Sequence, residues 1–237
     1  MRYILTFIVS FLPSILFALD LDDFYITPKA GISKSMNTGK TNFISASGIE
    51  RQQYDYDLGE GLAFGFSVGK YVKENFRIET EVLKRSGFDF DSHRVEEPIR
   101  TSDANIETHA LFINGFYDFQ NYSLASKSVT PYFGVGIGLS RNKMGMIKRA
   151  NISGIKNRHI DGDSITQFAY KLSLGTLINL TEKLSFDINY QYVNLGEFKS
   201  KAGMVNSDGS DVTDLIKGYN GGEIKSQEIM FGLQYKF

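Results

Sequence analysis

The fold of this chain is decided by nine residues, Ile229-Met230-Phe231-Gly232-Leu233-Gln234-Tyr235-Lys236-Phe237. Every odd-numbered position in this stretch is apolar or aromatic, and the even-numbered positions are small, polar or flexible. Successive side chains of a β-strand point to opposite faces, so this period of two predicts a strand with one apolar face. Such a face needs contact with a protein core or with lipid, because leaving it in water is unfavourable.

Seven further segments carry the same alternation. They cover residues 24–33, 62–72, 76–85, 106–119, 129–140, 167–178 and 184–193. Phe133 and Val135 alternate with glycines in the clearest of them, whereas 106–119 is apolar on both faces and only Asn114 indicates which face is inward. Each segment has about ten residues, the length that a tilted strand needs to cross hydrocarbon. The pattern predicts an all-β fold, an eight-stranded antiparallel up-and-down transmembrane β-barrel.

The connectors between these segments alternate in length. The long ones run roughly over 34–60, 86–104, 141–165 and 194–226, and the short ones centre on 73–75, 120–128 and 181–183. Membrane barrels of this kind have short turns on the periplasmic side and longer loops outside. The spacing therefore predicts four long extracellular loops, and an even number of strands places both termini in the periplasm.

The faces opposite the apolar ones carry charge. A Lys or Arg near the bilayer midplane costs about 2–4 kcal/mol on the lipid face, whereas an inward-facing one can pair with a carboxylate. We therefore expect ion pairs in the barrel interior. The residues expected to form them are Arg77, Glu79, Glu81, Lys171 and Asp187. Eight strands enclose only enough space for side chains, which disfavours a channel but leaves a narrow pore as an alternative.

The composition suits one barrel domain and excludes other classes. The 237 residues carry a net charge of −1, so no strong field would draw the protein to nucleic acid. The absence of cysteine excludes disulfides, thiolate nucleophiles and cysteine-ligated metal. A mean hydropathy of −0.20 is compatible with a membrane barrel, whose apolar residues occupy alternate positions.

The N-terminal residues have the layout of a secretory signal peptide. Arg2 precedes an apolar run over 4–17, and Ala18 precedes an acidic stretch. We expect cleavage after Ala18, which leaves 19–237 as the barrel with its long loops. An N-terminal membrane anchor is the alternative, although the run is short for a spanning helix of about 20 residues.

Several motifs resemble one family of membrane proteins. They are Phe76–Glu81, Thr130–Gly138, Tyr190–Tyr192 and Phe231–Phe237. Together they resemble the opacity-type, OmpA-like eight-stranded outer-membrane β-barrel family, which includes surface antigens and adhesins. The resemblance implies a bacterial outer-membrane location and a role in adhesion or antigenic display. It also implies a C-terminal insertion strand with Phe231, Leu233, Tyr235 and Phe237.

The same resemblance implies a set of partners. They are outer-membrane lipid, lipopolysaccharide, the barrel-assembly machinery and a host-cell surface protein or glycan. Nucleic acid is not expected among them.

The third long connector is basic. Its cations are Arg141, Lys143, Lys148, Arg149, Lys156 and Arg158, and they outnumber Asp161 and Asp163. Two interpretations stay open. The cations are solvated or neutralise lipopolysaccharide phosphates, or they form a docking loop for acidic host glycans or an acidic protein surface.

Catalysis has little support in the sequence. A lipid-modifying barrel enzyme, a deacylase or acyltransferase, would need a histidine within hydrogen-bond reach of a serine or an acid. His109 with Glu107 or Ser140 is the candidate, but no spacing supports it. A soluble lipocalin-like binder is also disfavoured, since the sequence has no Trp. We expect a non-catalytic protein with no cofactor and no metal site.

Overall fold

The computed structural model describes most of the chain after residue 22. The described residues are 23–36, 39–45, 50–94, 101–124, 127–150, 156–206, 216–220 and 222–237. The predicted signal peptide, 1–18, lies outside them. No helix long and apolar enough to cross a membrane is found in these ranges.

Eight long strands form a closed antiparallel barrel, as predicted. They are β1 (Phe24–Ser35), β2 (Glu60–Lys73), β3 (Phe76–Arg94), β4 (Thr101–Asp118), β5 (Lys127–Met144), β6 (Ser164–Asn179), β7 (Leu184–Phe198) and β8 (Gly222–Lys236). Each strand pairs with the next one, and β8 returns to β1 with Phe231 opposite Ala30. Closure removes the free sheet edges that lipid could not satisfy.

The alternation in the sequence decides which side chains face outward. Phe231 and Leu233 are each 45% exposed, whereas Met230 and Gln234 on either side of this pair are buried. The other strands add to the same outer band. Its members include Ile78, Val82, Ile113, Val135, Ile137, Leu172 and Leu174. A continuous apolar belt of this size is unusual on a soluble monomer and is what a membrane barrel presents to lipid.

The structure fixes the register of β4, which the sequence left open. Leu111 lies opposite Leu139 and Ile113 opposite Ile137, all on the outer face. Asn114 is buried, so this residue indicated the inward face correctly.

The strands extend well beyond their predicted ends into the long connectors. The connectors also contain short strands of their own: Gly39–Ser45, Glu50–Asp57, Ile147–Ala150, Lys156–Ile160, Val205–Asn206 and Ile216–Asn220. On the extension of β3, Phe88 and Phe90 point inward and are fully buried, while Asp89 and Asp91 are exposed. An alternation of this kind continues the barrel wall past the apolar belt, where the outer face turns polar.

The barrel interior has two levels. At the height of the apolar belt it is filled with charged and polar side chains, whereas towards the long connectors it is apolar. The apolar level includes Tyr56, Leu58, Phe88, Phe90, Ile106, Phe112, Met144, Ile147, Ile160, Leu195, Phe198 and Ile224. The connectors therefore rest on a hydrophobic core that lies inside the extended barrel.

Candidate functional site

The polar level of the barrel interior, at the height of the apolar belt, is organised around Glu81. Its carboxylate pairs with Lys29, at 2.9 Å, and with Lys171, and all three side chains are at most 7% exposed. Lys29 also pairs with Glu79 at 2.8 Å, and the amide of Asn114 donates to Glu79 at 3.2 Å. Four strands are thus joined by one network, and each buried charge has a partner of opposite sign.

A second interior cluster surrounds Glu228. Arg85 donates to both of its oxygens, at 2.6 and 3.0 Å. The hydroxyls of Ser33 and Ser226 and the amide of Gln191 also donate to this carboxylate, at 2.5 to 2.9 Å. Five hydrogen bonds from four residues satisfy the lone pairs of this buried carboxylate, which makes the cluster structural rather than reactive.

Arg77 forms a third cluster near the short turns. Its guanidinium donates to Asp118 at 3.0 Å and lies 4.6 Å from the ring centroids of both Phe116 and Tyr132. Asp187, expected to form an ion pair, instead accepts a hydrogen bond from the Tyr132 hydroxyl at 2.6 Å. No cation in the described chain lies within ion-pair distance of Asp187, because Lys29 is paired with Glu79 and Glu81, and Arg77 is paired with Asp118.

The sequence prediction placed Arg77, Glu79, Glu81 and Lys171 inside, where the structure also has them, but it missed Lys29. The signal was available, because Lys29 precedes the outward Ala30 and so points inward. The pairing of Arg85 with Glu228 could not be predicted from alternation along a strand. It joins β3 to β8 across the interior, and two other strands separate them along the wall.

At the opposite end, strand pairing ties the long connectors together. Gly39–Ser45 pairs with both Glu50–Asp57 and Ile216–Asn220, so the first and fourth connectors share a ladder. Lys156–Ile160 pairs with Ile147–Ala150 and with Val205–Asn206, which joins the third connector to the fourth. We call this paired region the connector platform.

Polar contacts reinforce the joint between the third and fourth connectors. Lys199 pairs with Asp163 at 3.3 Å, and Lys201 pairs with Asp161 at 3.7 Å. The backbone amide of Ser164 donates to Asp163 at 2.8 Å. This amide and the Lys199 ammonium hold the pKa of the Asp163 carboxyl below its usual range.

Three aromatic rings pack against each other where the platform meets the apolar core of the barrel. Tyr56, Phe90 and Phe198 lie with centroids 5.3 to 5.8 Å apart. The Tyr56 hydroxyl donates to the carbonyl of Glu223 at 2.6 Å, so the ring is anchored to β8. Buried aromatic contacts of this kind make the connectors part of the folded core rather than free loops.

The structure separates the six cations predicted to form one docking loop. Arg141 and Lys143 lie on the outer wall of β5, whereas Lys148 and Arg158 are exposed on the platform. The expectation for Arg149 is wrong, because its side chain is only 7% exposed and follows the inward Ile147. The side chain of Lys156 lies outside the described part of the structure.

Of the two histidine pairings that could support catalysis, the one between His109 and Ser140 is not assembled. His109 is exposed on the outer wall, whereas Ser140 is fully buried inside and donates to the carbonyl of Leu195. The two residues therefore lie on opposite sides of the sheet. Glu107 shares the outer face with His109, and its carboxylate lies 3.7 Å from the ammonium of Lys84. The described residues contain no group of three His, Cys, Asp or Glu that could hold a metal ion.

A shallow groove of about 360 Å³ opens on the outer wall between β1, β2 and β3. It is lined by Ile32, Glu60, Gly61, Leu62, Ser86 and Gly87. Gly87 has a φ of 91°, and the register of β3 shifts between Arg85 and Phe88, so a β-bulge creates this notch. It is open to the surroundings, unlike the enclosed pockets that bury most of a small molecule.

Comparisons with known proteins agree with the geometry. Residues 18–237 match the family model described as outer membrane protein beta-barrel domain. The outer membrane protein PagN of Salmonella typhimurium is 24% identical over 231 residues, covering 90% of this chain and 89% of that protein. A Rickettsia felis protein named "Putative adhesin" is 26% identical over 79% of this chain and 80% of its own length.

Two solved structures share the architecture. Neisserial surface protein A superposes with a TM-score of 0.54 at 15% identity, covering 91% of this chain and 98% of that one. OprG of Pseudomonas aeruginosa superposes with a TM-score of 0.57 at 12% identity, covering 91% and 97%. At these identities the likeness concerns the fold.

Proposed function

The chain belongs to the outer membrane protein β-barrel domain family, and we propose that it acts in the bacterial outer membrane as a non-catalytic adhesin. In this proposal the connector platform faces the outside, and the short turns and both termini face the periplasm. The barrel is the anchor, since a closed ladder satisfies the backbone within lipid. Recognition is carried by the platform, where surface side chains are held on paired strands.

The proposal depends on one observation, the exposed positions of Lys148 and Arg158 on the paired strands of the connector platform. Both are exposed, and neither has an ion-pair partner among the described residues. Lys148 lies opposite His159 in the ladder that joins Ile147–Ala150 to Lys156–Ile160. Because the backbone is already ordered, binding of an anion costs these cations only the entropy of their side chains. The ligand that suits them is an acidic glycan on a host cell.

Two further observations support this function. The name of the Rickettsia felis relative describes an adhesin. The separation of His109 from Ser140 by the barrel wall removes one of the two pairings that a catalytic alternative would use.

The test is a binding assay with a heparin-like sulfated glycan and the refolded mature protein in detergent. Lys148→Ala combined with Arg158→Ala should weaken binding roughly tenfold at low salt, with the remaining affinity falling as salt screens the charges. Lys225→Ala is the matched control, because this partly exposed lysine already pairs with Glu223. Unchanged glycan binding by the double variant would contradict the proposal. If the double variant keeps its glycan binding and loses binding to an acidic protein, the ligand is a protein surface and not a glycan.

A further inference from the structure

Two arginines lie directly opposite each other on the connector platform. The ladder between Ile147–Ala150 and Lys156–Ile160 pairs Arg149 with Arg158. Opposite residues of an antiparallel pair point to the same face, and their Cα atoms are about 5 Å apart. Like charges in such a pair repel each other and destabilise the ladder. A group of opposite charge between the two side chains would therefore stabilise it.

Both arginines lie on the face that continues the inside of the barrel. Ile147 and Ile160, two residues away from them, also lie opposite each other and are buried in the apolar core. Side chains two residues apart on a strand share a face, so the arginines border this core on its connector side. An apolar neighbourhood of low dielectric strengthens the attraction between a cation and an anion.

The neighbouring strands add neutral polar groups to the same row. Arg149 lies opposite Ser102 of β4, and Ser102 lies opposite Ser92 of β3. Both serines are buried. On the other side, Arg158 lies opposite Asn206 of the fourth connector. We call these five residues the arginine row. It contains two cations, two hydroxyls and one amide, and no member is acidic.

The arginine row is open on one side and covered on the other. Arg158 is exposed, whereas Arg149 is only 7% exposed. A ligand that contacts both therefore enters past Arg158, and only a small one reaches Arg149. A guanidinium binds an oxyanion through two parallel hydrogen bonds. Two guanidinium groups can use the four oxygens of a tetrahedral ion, whereas a carboxylate has only two oxygens to share between them.

We propose that the arginine row binds a small free tetrahedral oxyanion, sulfate or phosphate, and that this ion locks the connector platform. Bound between Arg149 and Arg158, the ion replaces their repulsion by attraction to a shared partner. It thereby holds together the two strands of the third connector, next to β4 on one side and the fourth connector on the other. The inference goes beyond adhesion and does not depend on it, since the ion acts on the platform itself.

The experiment measures cleavage of the third connector by a protease in the full mature protein in detergent micelles. Sodium sulfate is compared with sodium chloride at equal ionic strength, so that screening is the same. Sulfate at about ten times its dissociation constant should slow cleavage about tenfold, because it binds the closed ladder and not the open one. Phosphate should act like sulfate, and acetate should change the rate less than about twofold.

Substitutions of the two arginines give a signature that a merely structural role would not. Arg158→Gln should abolish the sulfate effect and also slow cleavage in chloride about threefold, because the like-charge pair is removed. A structural role for Arg158 predicts faster cleavage in chloride. Arg149→Lys keeps the charge but loses the planar fork, so it should weaken sulfate binding about tenfold. Arg141→Gln is the matched control, because Arg141 lies on the outer wall and donates to Ser164. It should keep the full sulfate effect.

A second measurement needs no variant that could misfold. The side-chain Nε–H signals of Arg149 and Arg158 in the NMR spectrum of the wild type should shift together as sulfate is added, with one dissociation constant. Signals that do not move would overturn the inference.

Three cleavage and binding results would also overturn it. The first is equal cleavage of the wild type in sulfate and in chloride. The second is an equal sulfate effect in Arg158→Gln and Arg141→Gln, which general exclusion of sulfate from the protein surface predicts. The third is binding of glucose 6-sulfate more than about tenfold tighter than inorganic sulfate, which would assign the row to a sugar ester. Failure of the adhesion proposal would appear in the heparin-like glycan assay and leave these results unchanged.

Discussion

Glu81 shows why charged residues can be buried at the centre of this barrel. It pairs with both Lys29 and Lys171, whose side chains are 7% and 2% exposed. The interaction does not make the interior more stable than an apolar one of the same shape, since desolvation offsets most of the attraction. It makes the three residues dependent on each other, because removing one leaves another charge buried without its partner.

Glu81→Gln should therefore lower the free energy of unfolding by about 3–5 kcal/mol, since two buried ammonium groups lose their shared carboxylate. Urea unfolding in lipid vesicles measures the change. Glu60→Gln is the matched control, because Glu60 pairs with Lys34 on the exposed surface and should change stability by at most about 1 kcal/mol. Equal effects of the two substitutions would show that the network has no special role.

At the scale of strands and connectors, the main feature is the apolar core inside the extended barrel, on the connector side of the apolar belt. Phe198 lies in this core with Tyr56 and Phe90, so it links the end of β7 to the first connector and to β3. The barrel below it is held by separate contacts. The platform can therefore loosen while the barrel remains folded.

Phe198→Ala should open the platform selectively. Deleting a buried Phe costs about 3–5 kcal/mol in a core, which is enough to populate open connectors. Limited proteolysis of the protein in vesicles should give faster cleavage within the connectors and an intact barrel. Phe168→Ala is the control, because Phe168 is 60% exposed on the outer belt. Equal cleavage of the Phe198 variant and the wild type would contradict the link.

The joint between the third and fourth connectors should weaken in acid. The pKa of Asp163 is lowered by the Ser164 amide and by Lys199, so the contact stabilises the joint above the ordinary carboxyl pKa of about 4. That stabilisation is lost as the pH falls through the lowered pKa. It amounts to less than about 1 kcal/mol, because the pair is partly exposed.

Hydrogen exchange of the segment 156–206, corrected for the intrinsic rate, should therefore increase between pH 6 and pH 3 around Asp163. Asp163→Asn should remove this increase, since the amide does not titrate. An acid-induced increase that is the same in the variant and the wild type would assign the effect to other groups.

The sequence predicted the elements that follow from local alternation. Outward Phe231 and Leu233, inward Asn114 and the eight closed strands all follow from a period of two and from the lengths of the segments. The platform could not be predicted in this way. Its ladders join residues as distant as Phe43 and Tyr219, and such pairing leaves no local signal.

Two charged residues differ from their expected surroundings, Arg149 in its position and Asp187 in its partner. Arg149 was expected among the cations of the third long connector that form a docking loop, yet alternation from the inward Ile147 turns its side chain inward. Asp187 was correctly expected inside, but its partner depends on which strands lie across the interior. The structure provides the Tyr132 hydroxyl there.

For the whole molecule, three features indicate how the barrel is arranged in the membrane. An apolar belt surrounds a polar interior, long connectors gather at one end and short turns at the other, and basic residues occur both at the border of the belt and on the platform. An outer-membrane anchor that presents a paired platform to the outside accounts for all three. The central claim is therefore the orientation of the two ends across the membrane.

Labelling of single cysteines on intact cells tests that claim most directly, because the chain has no cysteine of its own. Lys148→Cys places a thiol on the platform, and Lys183→Cys places one in the exposed turn between β6 and β7. A membrane-impermeant maleimide should label the Lys148→Cys protein on intact cells, and should label the Lys183→Cys protein only after the outer membrane is permeabilised. Labelling of the Lys183→Cys protein on intact cells, with protection of the Lys148→Cys protein, would contradict the account.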